Sequence, residues 1–211
     1  MLRPSALRAA AGALPSDILP KLGSVRGGAA LTAGLVFTTA LSGAFVAGND
    51  AGRAFNTFPD MDGSWVPEGA LALAPAWRNA FENTATVQFD HRVLALATTS
   101  SVAATLGLAA RGAVWQVLPA ATRAALVGMG VMLGVQVSLG VSTLLLYVPL
   151  ELAAAHQLGS LVLLSFSTAA AHSLTGIAFP ARRVALAGAV ALSAPALAIA
   201  ATETGGSELA R

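Results

Sequence analysis

Five long stretches without a charged side chain constrain the fold of this chain more than any other feature. Each is about 18 to 30 residues long, enough for a helix to cross a hydrocarbon core about 30 Å thick. The stretches are 27–49, 93–110, 124–150, 152–181 and 184–202. The sequence therefore predicts an all-α polytopic membrane bundle, with four helices forming one unit and a fifth, C-terminal transmembrane helix added to it.

The composition agrees with a protein of the bilayer. Hydrophobic residues make up 55% of the chain and charged residues 10%, whereas a soluble domain carries about a quarter charged residues. The net charge of only +2 gives no reason to expect a nucleic-acid partner. The absence of cysteine excludes a disulfide scaffold, a thiolate-bound haem and an iron–sulfur cluster held by this chain.

Three regions follow from these stretches. Residues 1–26 form a tail, 27–181 a four-helix bundle interrupted by a loop at 50–90, and 182–211 the extra helix with a short terminal segment. The loop contains prolines and acidic residues, and a short helix is expected near 75–83. The tail has arginines and many alanines, so a mitochondrial presequence and a plain matrix or cytoplasmic tail both stay open.

The distribution of Lys and Arg predicts the orientation. If the tail lies inside, the inner side holds Arg3, Arg8, Lys21, Arg26, Arg111, Arg123, Arg182 and Arg183. The outer side then holds Arg53, Arg78, Arg92 and Arg211. This excess of positive charge places the long loop on the outer side, which is the intermembrane space of a mitochondrion or the periplasm of a bacterium.

The third stretch is dense in small residues: Gly128, Gly130, Gly134, Ser138 and Gly140. Gly130 and Gly134 form a small-xxx-small pair, which favours close packing of helices. A second interpretation is that these residues leave room for a flat macrocycle, and the two interpretations are compatible.

Two of the three histidines are expected at the same membrane depth. His91 and His156 each begin an apolar stretch that crosses in the same direction, about one turn inside the outer face. Neutral imidazoles from two helices can bind a haem iron from both sides. An ordinary interfacial role for each histidine is the alternative. His172 lies about 24 Å further along its helix than His156, so it cannot join them.

Arg92 follows His91 directly, and two roles are open for it. Its guanidinium matches the geometry of a haem propionate, and it could equally anchor the helix at the interface. No cluster of carboxylates in the stretches suggests a non-haem metal.

The chain resembles the haem A synthase family, on a series of strings in order between residues 28 and 171. The strings are 43–52 (GAFVAGNDAG), 55–59 (FNTFP) with Met61, 64–67 (SWVP), 78–83 (RNAFEN), 87–92 (VQFDHR), 136–140 (QVSLG), 142–145 (STLL), 147–149 (YVP), 154–157 (AAHQ) and 159–161 (GSL). The mitochondrial-type branch is the more similar.

The resemblance implies that this chain corresponds to the C-terminal half of an eight-helix protein with two similar halves. In the family that half holds haem b, so His91 and His156 would be the iron ligands, with Arg92 and Gln157 beside the cofactor. The N-terminal half oxidises the substrate haem and carries a glutamate three residues before its first histidine. Gln88 occupies that position here, and an amide cannot accept and hold a proton as a carboxylate does.

The expected function is therefore the cofactor half of a haem A synthase, which oxidises a methyl group of haem o to the formyl group of haem a. Expected partners are membrane lipid, an N-terminal half or a second copy of the chain, haem O synthase and cytochrome c oxidase assembly factors. The expected location is the mitochondrial inner membrane, or else a bacterial plasma membrane. The alternative is a non-catalytic b-type cytochrome or structural subunit of a respiratory assembly.

Overall fold

Four long helices dominate the computed structural model, which describes residues 14–175. They are α1 (Ile18–Gly48), α4 (Thr84–Ala109), α6 (Ala120–Leu145) and α7 (Leu150–Ser173), joined by the short helices α2 (Ala51–Ala54), α3 (Asn79–Glu82) and α5 (Gly112–Val117). All four long helices are long and apolar enough to cross a membrane. The prediction of an all-α polytopic membrane bundle is confirmed. The predicted fifth span, 184–202, lies outside the described residues.

All four long helices begin earlier than the uncharged stretches suggested, α1 and α4 by the most. Helix α1 starts at Ile18, so residues 18–26 belong to the bundle and not to a separate tail. Helix α4 starts at Thr84 because the side chain of Asn83 accepts a hydrogen bond from the Thr86 amide and caps it. Charged residues end a stretch of uncharged sequence, but they do not end a helix.

The four long helices are arranged in a ring in which neighbouring helices run in opposite directions. Helix α1 packs along both α4 and α7, and α6 packs along α7 with a smaller contact to α4. The two helices that carry His91 and His156, α4 and α7, therefore occupy opposite corners of the bundle. The end that holds both residues is called the histidine end below.

The packed core is confined to the other half of the bundle. Its fully buried members come from the first half of α1, the last part of α4, the start of α6 and the second half of α7: Leu22, Val25, Ala29, Val102, Ala109, Leu126, Met129 and Ala170. Helix α5 adds Val114 to this core. Close packing of small and apolar side chains is what holds helices together in lipid.

Toward the histidine end each of the four helices has a window without buried residues, and buried residues resume beyond that window in α4, at 85–88, and in α6, at Leu144. None is buried in 37–48 of α1, 89–97 of α4, 130–143 of α6 or 150–158 of α7. At 1.5 Å per residue these windows are about 13 to 20 Å long. Protein interiors are normally close-packed, so the described bundle is packed more loosely over this depth than around its core.

Polar side chains tie the long loop, residues 49–83, to α4. Arg92 donates four hydrogen bonds of 2.6 to 3.2 Å to the carbonyl groups of Phe55, Thr57, Pro59 and Asp60. Asn79 and Asn83, in and after the helical turns at 76–82, donate to the carbonyls of Leu73, Ala76 and Gly69. The short helix expected near 75–83 is confirmed.

The loop does not bury its aromatic side chains as a hydrophobic lid would. From the sequence we expected the loop to fold over the outer mouth of the bundle and to bury its aromatic side chains: Phe55, Phe58, Trp65, Trp77 and Phe81. In the structure Trp65 is 75% exposed and Trp77 63%. Phe58 and Phe81 are about half exposed, although Phe81 also meets Phe45 of α1 edge-on at 5.2 Å. The expectation of buried aromatic side chains is wrong, because hydrogen bonds to backbone groups, and not aromatic packing, hold the loop in place.

Candidate functional site

His91 and His156 both lie in the windows of α4 and α7 that contain no buried residue. Each is nearly two helical turns from the start of its helix, at Thr84 and Leu150 respectively, or about 9 to 11 Å along the axis. The expected depth of one turn was too small, because both helices begin earlier than predicted. Their similar distances from the helix starts agree with a common level. Joint ligation of one iron stays a prediction.

The ring of His91 is held against α1. Its Nδ1 lies 2.8 Å from Ser42 Oγ. A Cβ added to Gly43 would lie 3.2 Å from His91 Cε1, so the absence of a side chain there allows the ring to approach. One turn away, the hydroxyl groups of Thr39 and Thr98 lie 2.8 Å apart and fix α1 against α4. Helix α1 thus determines where the His91 ring can be.

The ring of His156 is held against α6 in a similar way. A Cβ added to Gly140 would lie 2.9 Å from His156 Cε1 and 3.4 Å from Nε2. The side chain of Gln136 donates a 2.8 Å hydrogen bond to the His156 carbonyl. In contrast to His91, the Nδ1 atom of His156 is buried without a hydrogen-bond partner. Buried polar atoms are normally satisfied, so this nitrogen is suited to a ligand or an ordered water.

These observations fit a flat macrocycle bound between two imidazoles. A glycine lies beside each ring, and no residue of the four helices is fully buried at this depth. Within residues 14–175, no group of three or more His, Cys, Asp or Glu residues is placed to hold a metal ion. Two imidazoles from different helices are a donor set that a haem iron can use, and haem binding stays a prediction.

The glycines of α6 divide between packing and open space. A Cβ on Gly130 would lie 3.0 Å from Leu106 of α4, and one on Gly128 would collide with Phe166 of α7. Both positions therefore serve helix packing, as predicted. Gly134 has no atom within 4 Å of an added Cβ, so the second member of the small-xxx-small pair does not pack within the described bundle.

Arg92 holds the long loop. Its four terminal N–H groups face four backbone carbonyls, and the fifth, on Nε, is buried without a partner. Nε–H is the group left for a propionate, and that pairing stays a prediction. Arg92 is the residue that connects the histidine-bearing turn of α4 to the loop.

The other predicted residues lie in different surroundings. Gln157 is exposed beside His156, and its place next to a cofactor stays a prediction. Gln88 is 4% exposed, with its Oε1 atom lacking a partner. His172 is exposed near the end of α7, far from the other two histidines, as predicted.

Sequence reasoning missed Ser42, Gly43 and Gln136 as neighbours of the histidines. Gly140 was noticed only as one of several small residues and as the last residue of the string 136–140. Ser42 directly precedes the string 43–52, which begins with Gly43. A polar residue next to glycine in an apolar span is a usable signal for close approach of another group.

Comparison with known proteins places the chain in a family. The family model described as cytochrome oxidase assembly protein (COX15-CtaA) matches residues 2–168. Heme A synthase COX15 of Bos taurus is 53% identical over 134 residues, covering 64% of this chain and 32% of that protein. The Arabidopsis thaliana protein of the same name is 51% identical over 147 residues, covering 66% and 30%.

A bacterial relative shows similar agreement. Heme A synthase of Nitrosospira multiformis is 47% identical over 140 residues, covering 66% of this chain and 38% of its own length. No solved structure matches the chain. The chain covers 30 to 38% of the length of these three relatives, or about a third. With most of its length matched by the family model, this chain belongs to the cytochrome oxidase assembly protein family.

Proposed function

We propose that this chain is the haem b-binding half of a haem A synthase, equivalent to the C-terminal half of the family's proteins. The observation that carries the proposal is the position of His91 and His156 on opposite corners of the bundle, within the windows where no residue is buried. Two opposed neutral imidazoles are a ligand set for haem iron. The names of relatives 47 and 53% identical to the chain support the haem A synthase part of this proposal.

In this proposal the residues of the chain bind and orient the cofactor. His91 and His156 supply one nitrogen each, and Gly43 and Gly140 let α1 and α6 approach the two rings. Arg92 keeps the long loop at the mouth of the site, which limits access of water. Haem b, when bound, supplies one-electron redox chemistry, and the protein supplies ligands, orientation and burial.

The whole reaction is proposed to need a second protein. Oxidation of the haem o methyl group to the formyl group of haem a takes place on a substrate haem, and one pair of histidines binds one haem. Gln88 is an amide where the family's catalytic half has a glutamate, so it cannot act as a proton acceptor. An N-terminal-half chain is the proposed partner, with haem O synthase and cytochrome c oxidase assembly factors acting before and after it.

The proposed location is the inner membrane of mitochondria, or a bacterial plasma membrane, with the histidine end toward the intermembrane space or periplasm. The excess of Lys and Arg at the opposite end supports this orientation. Cysteine accessibility labelling from each side, with a cysteine placed at Ser64 in the long loop, tests it. Labelling from the matrix or cytoplasmic side alone would reverse the orientation.

The haem assignment is tested by purifying the chain in detergent and recording a reduced-minus-oxidised spectrum with pyridine haemochrome analysis. We expect bound haem b. His91→Ala and His156→Ala should remove its low-spin spectrum while helix content is retained, and His172→Ala should leave the spectrum intact. A low-spin spectrum that survives both substitutions would overturn the ligand assignment.

A second candidate is a non-catalytic b-type cytochrome or structural subunit, which the buried Gln88 favours. Co-expression with a four-span chain that carries Glu-x-x-His-Arg separates the two. Conversion of haem o to haem a only in the presence of that chain supports the split enzyme. If haem b is bound but haem o is not converted when that four-span chain is present, the result supports the cytochrome. Conversion of haem o by the isolated chain supports a self-sufficient homo-oligomer.

A further inference from the structure

The hydroxyl group of Ser42 bridges His91 and a backbone carbonyl. Ser42 Oγ lies 2.8 Å from the carbonyl oxygen of Thr39 and 2.8 Å from Nδ1 of His91. A carbonyl oxygen only accepts hydrogen bonds, so the one proton of the hydroxyl is donated to Thr39. Ser42 Oγ must then accept from His91, and the proton of that second bond belongs to Nδ1.

This direction determines the tautomer of the histidine. A neutral imidazole carries one N–H, so a proton on Nδ1 leaves the lone pair on Nε2. We propose that Ser42 is a positioning residue that fixes His91 in its Nδ1–H tautomer and keeps Nε2 ready to bind iron. The iron-binding part of this inference rests on the proposed function. In metal sites, the hydrogen bond made by the ring nitrogen that does not bind the metal commonly sets the tautomer and orientation of a ligand histidine.

The surroundings of the bridge restrain the ring as well as the proton. Gly43 lies against the ring edge, and the Thr39–Thr98 contact holds α1 and α4 together one turn away. His156 has no equivalent, since its Nδ1 is without a partner. The two sides of the site are therefore unequal, because a hydrogen bond sets the proton position on the His91 ring and none sets it on the His156 ring.

The tautomer can be measured without haem. The full chain, labelled with 15N at histidine and reconstituted in lipid nanodiscs, gives separate nitrogen signals for protonated and unprotonated ring atoms. The His91 signals are those missing from His91→Ala. We expect a protonated Nδ1 and an unprotonated Nε2 in the native chain. We expect Ser42→Ala to lose this preference and Ser42→Thr, which keeps a hydroxyl group, to retain it.

Ser165→Ala is the matched control. Ser165 makes the same kind of bond, 2.8 Å from Oγ to the Leu161 carbonyl four residues earlier, but on an exposed face of α7. It should not change the His91 signals. A protonated Nε2 in the native chain, or a tautomer that is the same in Ser42→Ala, would overturn the inference. If Ser42→Ala does not fold, the native chain and Ser42→Thr still decide the result.

Haem titration then tests the iron-binding part. Loss of the hydrogen-bond partner of a metal-binding histidine typically weakens metal binding about 10- to 100-fold. Ser42→Ala should therefore lose haem affinity by about this factor, and Ser42→Thr should retain most of the native affinity. Equal haem affinity in Ser42→Ala and the native chain would refute the positioning role alone. A native chain with the Nδ1–H tautomer that takes up no haem would overturn the proposed function and the iron-binding part together, and leave the tautomer assignment supported.

Discussion

Gly140→Ala should weaken haem binding, whereas Gly134→Ala, six residues earlier on the same helix, should not. The added Cβ at position 140 would lie 2.9 Å from His156 Cε1, and carbon atoms pack at about 3.5 to 4.0 Å. The ring must therefore move by roughly 0.6 to 1 Å. At position 134 no atom lies within 4 Å of the added Cβ.

The expected size follows from the cost of overpacking. Inserting a methyl group into a packed contact costs about 1 to 3 kcal/mol, which corresponds to roughly a 5- to 150-fold loss of affinity if the cost falls on the bound geometry. Both substitutions change intrinsic helix propensity by the same amount, up to about 1 kcal/mol. The difference between the two variants therefore isolates the contact with His156.

Haem occupancy after titration of the purified chain, measured by pyridine haemochrome absorbance, gives the affinities. Thermal unfolding followed by circular dichroism shows whether both variants are folded. Native-like haem binding by folded Gly140→Ala would refute the idea that His156 must keep its position against α6. An equal loss in both variants would mean that α6 responds to any added volume in this region.

Three further outcomes are expected. Arg92→Lys should speed limited proteolysis of the long loop roughly tenfold, because a lysine cannot donate to all four carbonyl groups in the geometry of the guanidinium and a charged hydrogen bond is worth about 1.5 to 3 kcal/mol. Unchanged cleavage would show that other contacts hold the loop. Trp65 and Trp77, being exposed and aromatic, should lie in the lipid headgroup region, so bromolipids should quench their fluorescence, and quenching no greater than in detergent would exclude this. The Arg78 guanidinium lowers the pKa of the Glu82 carboxyl. The ion pair therefore contributes to loop order above the ordinary glutamate pKa, and this contribution is lost as the pH falls through the lowered pKa of Glu82. Proteolytic cleavage of the loop should rise below about pH 4 in the native chain, and Glu82→Gln should remove that rise.

The membrane spans and the histidine pair were predictable because they depend on residue type alone. Long uncharged runs identify helices in lipid, and a histidine in such a run is conspicuous. The depth of His91 was not predictable in the same way, since the start of α4 depends on the cap formed by Asn83. That cap becomes evident only when the helix and its flanking backbone are both in place.

The contacts of Ser42 were beyond sequence reasoning for a related reason. Serine in a transmembrane helix usually bonds to a carbonyl of its own helix, as Ser138 and Ser165 do here. Only the position of α1 against α4 shows that Ser42 has a second partner. The exposed Trp65 and Trp77 were mispredicted because a sequence does not reveal whether an aromatic side chain faces the bundle or its surroundings.

The confinement of the core to one half of the bundle has a consequence for biogenesis. Leu22, Leu126 and Met129 are enclosed without any contribution from the histidine end, so the helices can associate after membrane insertion before a cofactor arrives. If the chain binds haem as proposed, haem delivery would be a late maturation step on a folded receptor. In cells short of haem, such a chain would persist in the membrane as an apoprotein awaiting its cofactor, and would not be cleared as an unfolded one.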